Sequence, residues 1–514
     1  MNYADLFRAT LPETALEIAA LLVLVVDLGH LRKAALNTRV AIASFVGVAG
    51  CAAALALLPY LGASGLQIGN ELLLSSGGTA AIAQTGILVL TILTLLLFVG
   101  SDFTRHAGEY VSVILMAAAG GLIISAAQDL LIIFVGLELL SLGLYILTAF
   151  AKRSGASAEA AMKYYLFGGM SAAFLLFGFS YLYGMTGTTN LHRILLALHG
   201  GSASLVGPML YVSVVLILTG LGFKVAAVPF HLWAPDTYEG APAPAAAFIA
   251  SVSKVASFAL LTSIATAALH IFDGSIVRTE VTALFTLRST PLEPIHLGFG
   301  GPWLTVLVVL SVASMVVGNL AALAQTSVRR LLAYSAIAHA GYMLLALAYF
   351  TYSPLSANAI LYYILTYGLT TIGAFGVVSV VERATGSDKL DSFLGLHKRN
   401  PLLAAVLLVL FLSLAGIPPL VGFWAKFNLF AAVLSVSAGP VPFALVALAI
   451  AMSAVSLYYY LQVLKRAYVM PAIDETPIKA HPVTLAVLLT ISAAVVVLGC
   501  FPSLLQNWIA SFYR

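Results

Sequence analysis

Charge is what this chain has least of. Lys, Arg, Asp and Glu make up 9% of its 514 residues, hydrophobic residues make up 61%, and the mean hydropathy is +1.04. Soluble domains carry about 25% charged residues, so this composition excludes a soluble globular fold. The net charge of +4 is spread over short connecting segments. No basic tract is present, which excludes a nucleic-acid partner. Cysteine is nearly absent. Cys51 and Cys500 are far apart, each in an apolar run, and read as small packing residues. No CxxC and no Cys/His spacing suits zinc, haem or an iron–sulfur cluster. No glycine-rich nucleotide fingerprint follows a strand pattern. The chain is therefore expected to carry no metal, cofactor or redox centre of its own. Met1 to Thr14 lacks a basic leader region, so the first apolar run is expected to be a retained span.

Long apolar runs are abundant. Fourteen are long enough to cross a bilayer, centred near residues 21, 50, 91, 118, 140, 172, 216, 256, 314, 340, 370, 412, 453 and 492. The expected fold class is an all-α polytopic membrane protein with about 14 transmembrane helices. An even count places both termini on one side. Segments that follow odd-numbered spans hold 16 basic residues, and the opposite side holds 5, namely Arg8, Arg193, Arg278, Arg288 and Arg514. By the positive-inside rule the 16 face the cytoplasm and both termini face outward.

The chain also repeats itself at an offset of 198. Tyr164-Tyr165 matches Tyr362-Tyr363, Phe177-Gly178 matches Phe375-Gly376, and Ala241-Pro242-Ala243-Pro244 echoes Gly439-Pro440-Val441-Pro442. Gly222-Phe223 matches Gly422-Phe423 with a two-residue slip. The repeats are spans 4–8 (residues 109–272) and spans 9–13 (residues 300–468), flanked by a three-span region (1–108) and a C-terminal span (469–514). Five spans per repeat is an odd number, so the second copy is inverted, a common transporter design. Helices 7 and 12 are expected to be broken, at Gly220-Leu221-Gly222 and at Gly416-Ile417-Pro418-Pro419, with Lys224 and Lys426 just after each break.

Four ionisable residues lie inside apolar runs: Glu138, Lys224, Lys254 and Lys426. Lys254 sits mid-run, on the order of 16 Å from either membrane surface at about 1.5 Å per residue, too deep to snorkel. Such residues mark ion or proton paths. A Glu138–Lys224 pair is expected to act as a switch, since a nearby carboxylate holds an ammonium charged and its removal lets the proton go. The bland alternative is a static pair that fixes packing. His231, seven residues after Lys224, and His339 in span 10 are candidate relays, His339 by bridging Lys254 and Lys426 through water. Glu13, Glu17 and Asp27 read as interfacial, and Tyr458-Tyr459-Tyr460 as aromatic anchors. Asp236 and Glu239 read as structural or as part of a proton entrance.

The run Phe223-Lys224-Val225-Ala226-Ala227-Val228-Pro229-Phe230-His231-Leu232-Trp233-Ala234-Pro235-Asp236-Thr237-Tyr238-Glu239-Gly240-Ala241-Pro242 resembles the signature of the antiporter-like subunits of respiratory complex I, the NADH:quinone oxidoreductase. Gly416-Ile417-Pro418-Pro419 with Gly422-Phe423 and Lys426 resembles that family's broken twelfth helix. The resemblance covers all fourteen spans. Among the L, M and N types it is most similar to N: it ends soon after span 14, and its twelfth span carries Lys426 where M typically has glutamate. The resemblance implies a proton-translocating membrane subunit in a bacterial inner membrane. Glu138 then matches the fifth-span glutamate paired to the seventh-span lysine Lys224. Lys254 matches the central lysine, and Lys426 the residue facing the outer exit. The resemblance further implies neighbouring membrane subunits, and partner chains that hold NADH, FMN, iron–sulfur clusters and quinone. The alternatives are a subunit of a multi-subunit cation/proton antiporter and a purely structural subunit.

Overall fold

The computed structural model describes residues 3–61, 65–68, 71–200, 203–273, 300–350, 355–436, 439–472 and 474–513. Arg278, Arg288 and Arg514, and all of residues 274–299, lie outside the described residues.

Backbone groups in hydrocarbon find no water, so each apolar run satisfies them internally as a helix. Among the described residues, twelve helices are long and apolar enough to cross a membrane. Spans 2 to 7 contain Leu36–Leu57, Thr79–Phe98, Ala107–Ala126, Leu130–Thr148, Gly155–Thr186 and Ala203–Val225. Spans 8 to 11 are Ala243–Asp273, Gly300–Leu323, Val328–Ala348 and Leu355–Thr385, and spans 13 and 14 are Pro440–Tyr468 and Pro482–Cys500. Leu11–Val25, extended by a π-helical turn at Val26–His30, forms span 1. Two shorter helices, Pro401–Ala415 and Val421–Val436, form the halves of span 12. The protein is thus a polytopic helical membrane protein. One departure from all-α structure is a short antiparallel ribbon, Leu66–Ile68 with Glu71–Leu74, in the connection between spans 2 and 3.

Polar residues mark the helix starts. The Asp129 side chain accepts from Leu131 N at span 5, Ser154 from Ser157 N at span 6, Ser327 from Arg330 N at span 10, and Asn400 from Leu403 N at span 12. The core lies around spans 8 and 10. The most apolar stretch of span 8 is wholly buried and that of span 10 is 94% buried, against 22% for span 13. Span 8 packs on spans 3 and 11.

The twelfth span breaks where the sequence places the break. Its first half ends at Ala415, Gly416 takes φ +88°, and the second half starts at Val421. The seventh differs. The helix runs straight through Gly220 and Gly222 to Val225, so the break follows Lys224 instead of preceding it. Gly220 serves close approach: a Cβ there would lie 2.8 Å from Leu175 Cβ and 3.1 Å from the Ser171 carbonyl oxygen. The helix stops at Ala226, whose φ is +59°. Pro229 offers no N–H to continue the ladder. A short helix, Trp233–Gly240, then leads into span 8.

Candidate functional site

Lys224 lies in the last turn of span 7, 5% exposed. Its Nζ donates to Ser141 Oγ of span 5, and Ser141 in turn donates to the Leu137 carbonyl. The ammonium also sits 5.8 Å from the Tyr145 ring centroid and 5.5 Å from that of Phe223, cation–π distances. Glu138 is three residues before Ser141, on the same side of span 5. It acts on Lys224 electrostatically but makes no ion pair with it within 4.0 Å. Glu138 is partly exposed, on a stripe with Leu131, Val135, Leu142 and Ile146, all exposed in the isolated chain.

Lys254 is 1% exposed at the centre of span 8. Its Nζ donates to the Ala336 carbonyl of span 10 at 2.5 Å and lies 5.7 Å from the Tyr367 ring centroid. Lys426, in the second half of span 12, donates to the Leu414 and Ala415 carbonyls at 3.1 and 2.9 Å and to Ser453 Oγ at 2.8 Å. The last carbonyls of a helix have no intrahelical partner and carry its negative dipole end. The break in span 12 thus builds a socket for an ammonium.

His339 stands between these two lysines. Its Nδ1 is 2.7 Å from the Tyr363 hydroxyl and its Nε2 3.5 Å from that of Tyr460, which also bonds Ser335. A void of about 10 Å³ lies between His339 and the Ser413 and Gly422 side of the broken helix, room for about one water. His231 sits in the break after span 7, 8% exposed, and its buried Nδ1 has no hydrogen-bond partner among the described residues.

Ser141, Ser453, Tyr363 and Tyr460 were not singled out from sequence as site residues. Ser141 was findable, since it follows Glu138 by three residues. Tyr460 reads as an interfacial anchor by position, but Tyr459 and Tyr460 are buried at 2% and 0%, and only Tyr458 is exposed. Tyr459 donates to Asn319, which donates to Tyr342. Asp27 and Glu13 are likewise buried, at 0% and 4%. Asp27 is clamped by Arg39 through two 2.7 Å bonds and by the Gly108 N–H. Asp236 accepts from Lys163 and from Arg330, each at 2.7 Å, and Glu239 from Arg330 at 2.8 Å. Partial desolvation raises the Asp236 carboxyl, but those two cations outweigh it and hold it below the usual carboxylate value.

Deeply buried basic side chains, hydroxyls between them and a broken helix that cradles an ammonium define a membrane protein of the antiporter-like, ion-translocating class. The chain matches the family described as "NADH:quinone oxidoreductase/Mrp antiporter, TM", over residues 127–286 and 276–453. It is 46% identical to NADH-quinone oxidoreductase subunit N 2 of Acidobacterium capsulatum, with 99% of each chain covered. It is 37% identical to NADH-quinone oxidoreductase subunit N of Desulfovibrio desulfuricans, over 99% of this chain and 97% of that one. A chain of respiratory complex I from Thermus thermophilus superimposes with a TM-score of 0.75 at 33% identity, covering 96% of this chain and 98% of that one. A chain of the Mrp complex from Dietzia shares the fold, with a TM-score of 0.76 at 22% identity over 98% and 96%. The chain belongs to this family, the antiporter-like membrane subunits of NADH:quinone oxidoreductase, and the two relatives at 46% and 37% identity are of the N type.

Proposed function

We propose how this chain works as a proton-translocating membrane subunit of NADH:quinone oxidoreductase. Protons are taken up near Lys224 and His231, pass to Lys254, cross by way of His339 to Lys426, and leave on the far side. Glu138, one turn before Ser141 on span 5, biases Lys224 electrostatically. In this structure Lys224 is bonded to Ser141 instead, the arrangement expected of an open pair. Glu138 lies on the outer stripe of span 5, where a neighbouring membrane subunit can set its charge. The face with 16 basic residues is cytoplasmic, both termini are outward, and the membrane is a bacterial inner membrane. Residues 109–272 and 300–468 act as inverted halves. NADH, FMN, iron–sulfur clusters and quinone belong to partner subunits.

One observation carries this reading. Lys224, Lys254 and Lys426 are 1–5% exposed, and none makes an ion pair with a carboxylate within 4.0 Å among the described residues. A purely structural subunit would neutralise or replace three such charges. The antiporter alternative shares the fold, but the relatives at 46% and 37% identity are subunits of NADH-quinone oxidoreductase.

The test is Lys254→Met in the assembled complex, in inverted membrane vesicles. NADH-driven proton pumping is expected to fall at least about tenfold, the scale of losing a positioned proton carrier. Pumping retained at the wild-type rate would remove Lys254 from the path. A chain that co-purifies without flavin, iron–sulfur subunits or NADH:quinone reductase activity would return the antiporter reading.

A further inference from the structure

The route above begins at the end of span 7, but a second opening lies beside span 8. A cavity of about 450 Å³ is cut into the basic face, lined by Asp102, Glu239 and Glu382, by Arg329 and Arg383, and by Pro242–Pro244 at the start of span 8. A smaller void of about 10 Å³ shares Ala243, Pro244 and Ser379 with this vestibule and continues inward to Ala247, Gly376 and Thr484. Its size suits about one water. Gly376, on its wall, lets spans 3 and 14 pack closely, since a Cβ there would meet Leu488 Cδ2 at 2.7 Å and Leu97 at 3.2 Å.

Thr484 supplies the independent observation. It is 1% exposed, and its hydroxyl is buried with no hydrogen-bond partner among the described residues. Buried hydroxyls are almost always bonded, and one that lines a water-sized void is a water ligand. Ala247, at the void, shares one face of span 8 with Ser251 and Lys254. Ser251 donates to the Ala247 carbonyl at 2.6 Å, and Lys254 follows three residues later. Tyr238 flanks the route. Its ring centroid is 5.7 Å from that of Phe375, which also lines the void, and its buried hydroxyl has no hydrogen-bond partner among the described residues.

We propose that the vestibule and the Thr484 void form a second proton inlet that serves Lys254 directly, without passing Lys224. Asp102 collects protons from the aqueous phase, since Glu239 and Glu382 are held by Arg330 and Arg329. A single water on Thr484 carries them through the apolar constriction, and the Ser251 face of span 8 leads to the Lys254 amine. The inlet rests on the reading of Lys254 as the central proton carrier, so its test is run beside Lys254→Met.

The experiment measures NADH-driven proton uptake by the assembled complex in vesicles, normalised to complex content on a native gel. Thr484→Val keeps the shape and removes the hydroxyl. Uptake is expected to fall roughly fivefold, the occupancy change when a bound water loses one hydrogen-bond partner. Thr484→Ser restores the hydroxyl and is expected to keep uptake. Ser379→Leu plugs the partly exposed mouth from outside the core and is expected to act as Thr484→Val does, so a Thr484 variant that fails to assemble does not decide the matter. Uptake unchanged in Thr484→Val and Ser379→Leu, but lost in Lys254→Met, overturns the inlet and leaves the central carrier standing. Uptake unchanged in all three overturns both.

Discussion

Lysine at mid-membrane is the informative residue in this chain, and its surroundings explain how it is tolerated. Each of the three buried ammonium groups has at least one oxygen acceptor and an aromatic ring within 5.5–5.8 Å. The lysines were legible in the sequence because a charge in an apolar run has few innocent explanations. Their partners were not. Ala336 accepts from Lys254 across 82 residues, and it does so through a backbone carbonyl that every residue owns. Asp27 was misplaced for a related reason. A carboxylate near the end of an apolar run resembles an interfacial residue until Arg39, on the next span, is seen to cover it. Arg39→Leu would leave that buried carboxylate unpaired. We expect a loss of about 3–5 kcal/mol in the stability of the chain, read as a lower unfolding temperature of the detergent-solubilised protein. Asp27→Asn, which keeps a polar partner, is expected to cost less.

At the scale of the element, helix length and break position are set by different chemistry. Length follows hydropathy, which the sequence displays directly. Break position follows local backbone geometry. Gly220 and Gly222 look like a hinge but serve contact with span 6 and with Phe230, while the helix ends later at Ala226. In span 12 the glycine is the hinge. Gly416 holds φ +88°, and a Cβ there would lie 3.0 Å from Lys426 Cδ and 3.3 Å from its Nζ. Gly416→Ala is therefore expected to cost about 1–2 kcal/mol in backbone strain and to push Lys426 off the Leu414 and Ala415 carbonyls. The expected outcome is slowed NADH-driven proton pumping with the complex still assembled. Pumping at the wild-type rate would mean that the socket does not set the position of Lys426.

At the scale of the whole molecule, an ionic network ties spans 6 and 10 to the short helix between spans 7 and 8. Lys163 of span 6 and Arg330 of span 10 both grip Asp236 on the short helix between spans 7 and 8, and Arg330 also holds Glu239. Asp236 is held below its ordinary value of 3.8 in the folded chain. A carboxyl depressed on folding contributes its stability fully above the unfolded value, and loses it as pH falls through the lower folded value. Asp236→Asn should thus lower the unfolding temperature at pH 7, and the difference from wild type should shrink once the pH drops below about 4. A difference that persists unchanged in acid would mean that the carboxylate charge is not what joins these spans.

The sequence by itself determined the class, the number of spans and the buried lysines. In hydrocarbon every backbone group must be satisfied within its own helix, so each span is decided locally by about 20 consecutive residues. Tertiary structure alone decided the rest: that Lys224 meets Ser141, that Tyr460 reaches His339 from 121 residues away, and that Thr484 lines a water-sized void beside span 8. Those contacts depend on which helix faces pack together. In chains so uniformly apolar, close packing of small residues and a few polar atoms selects those faces, and neither is ordered along the sequence.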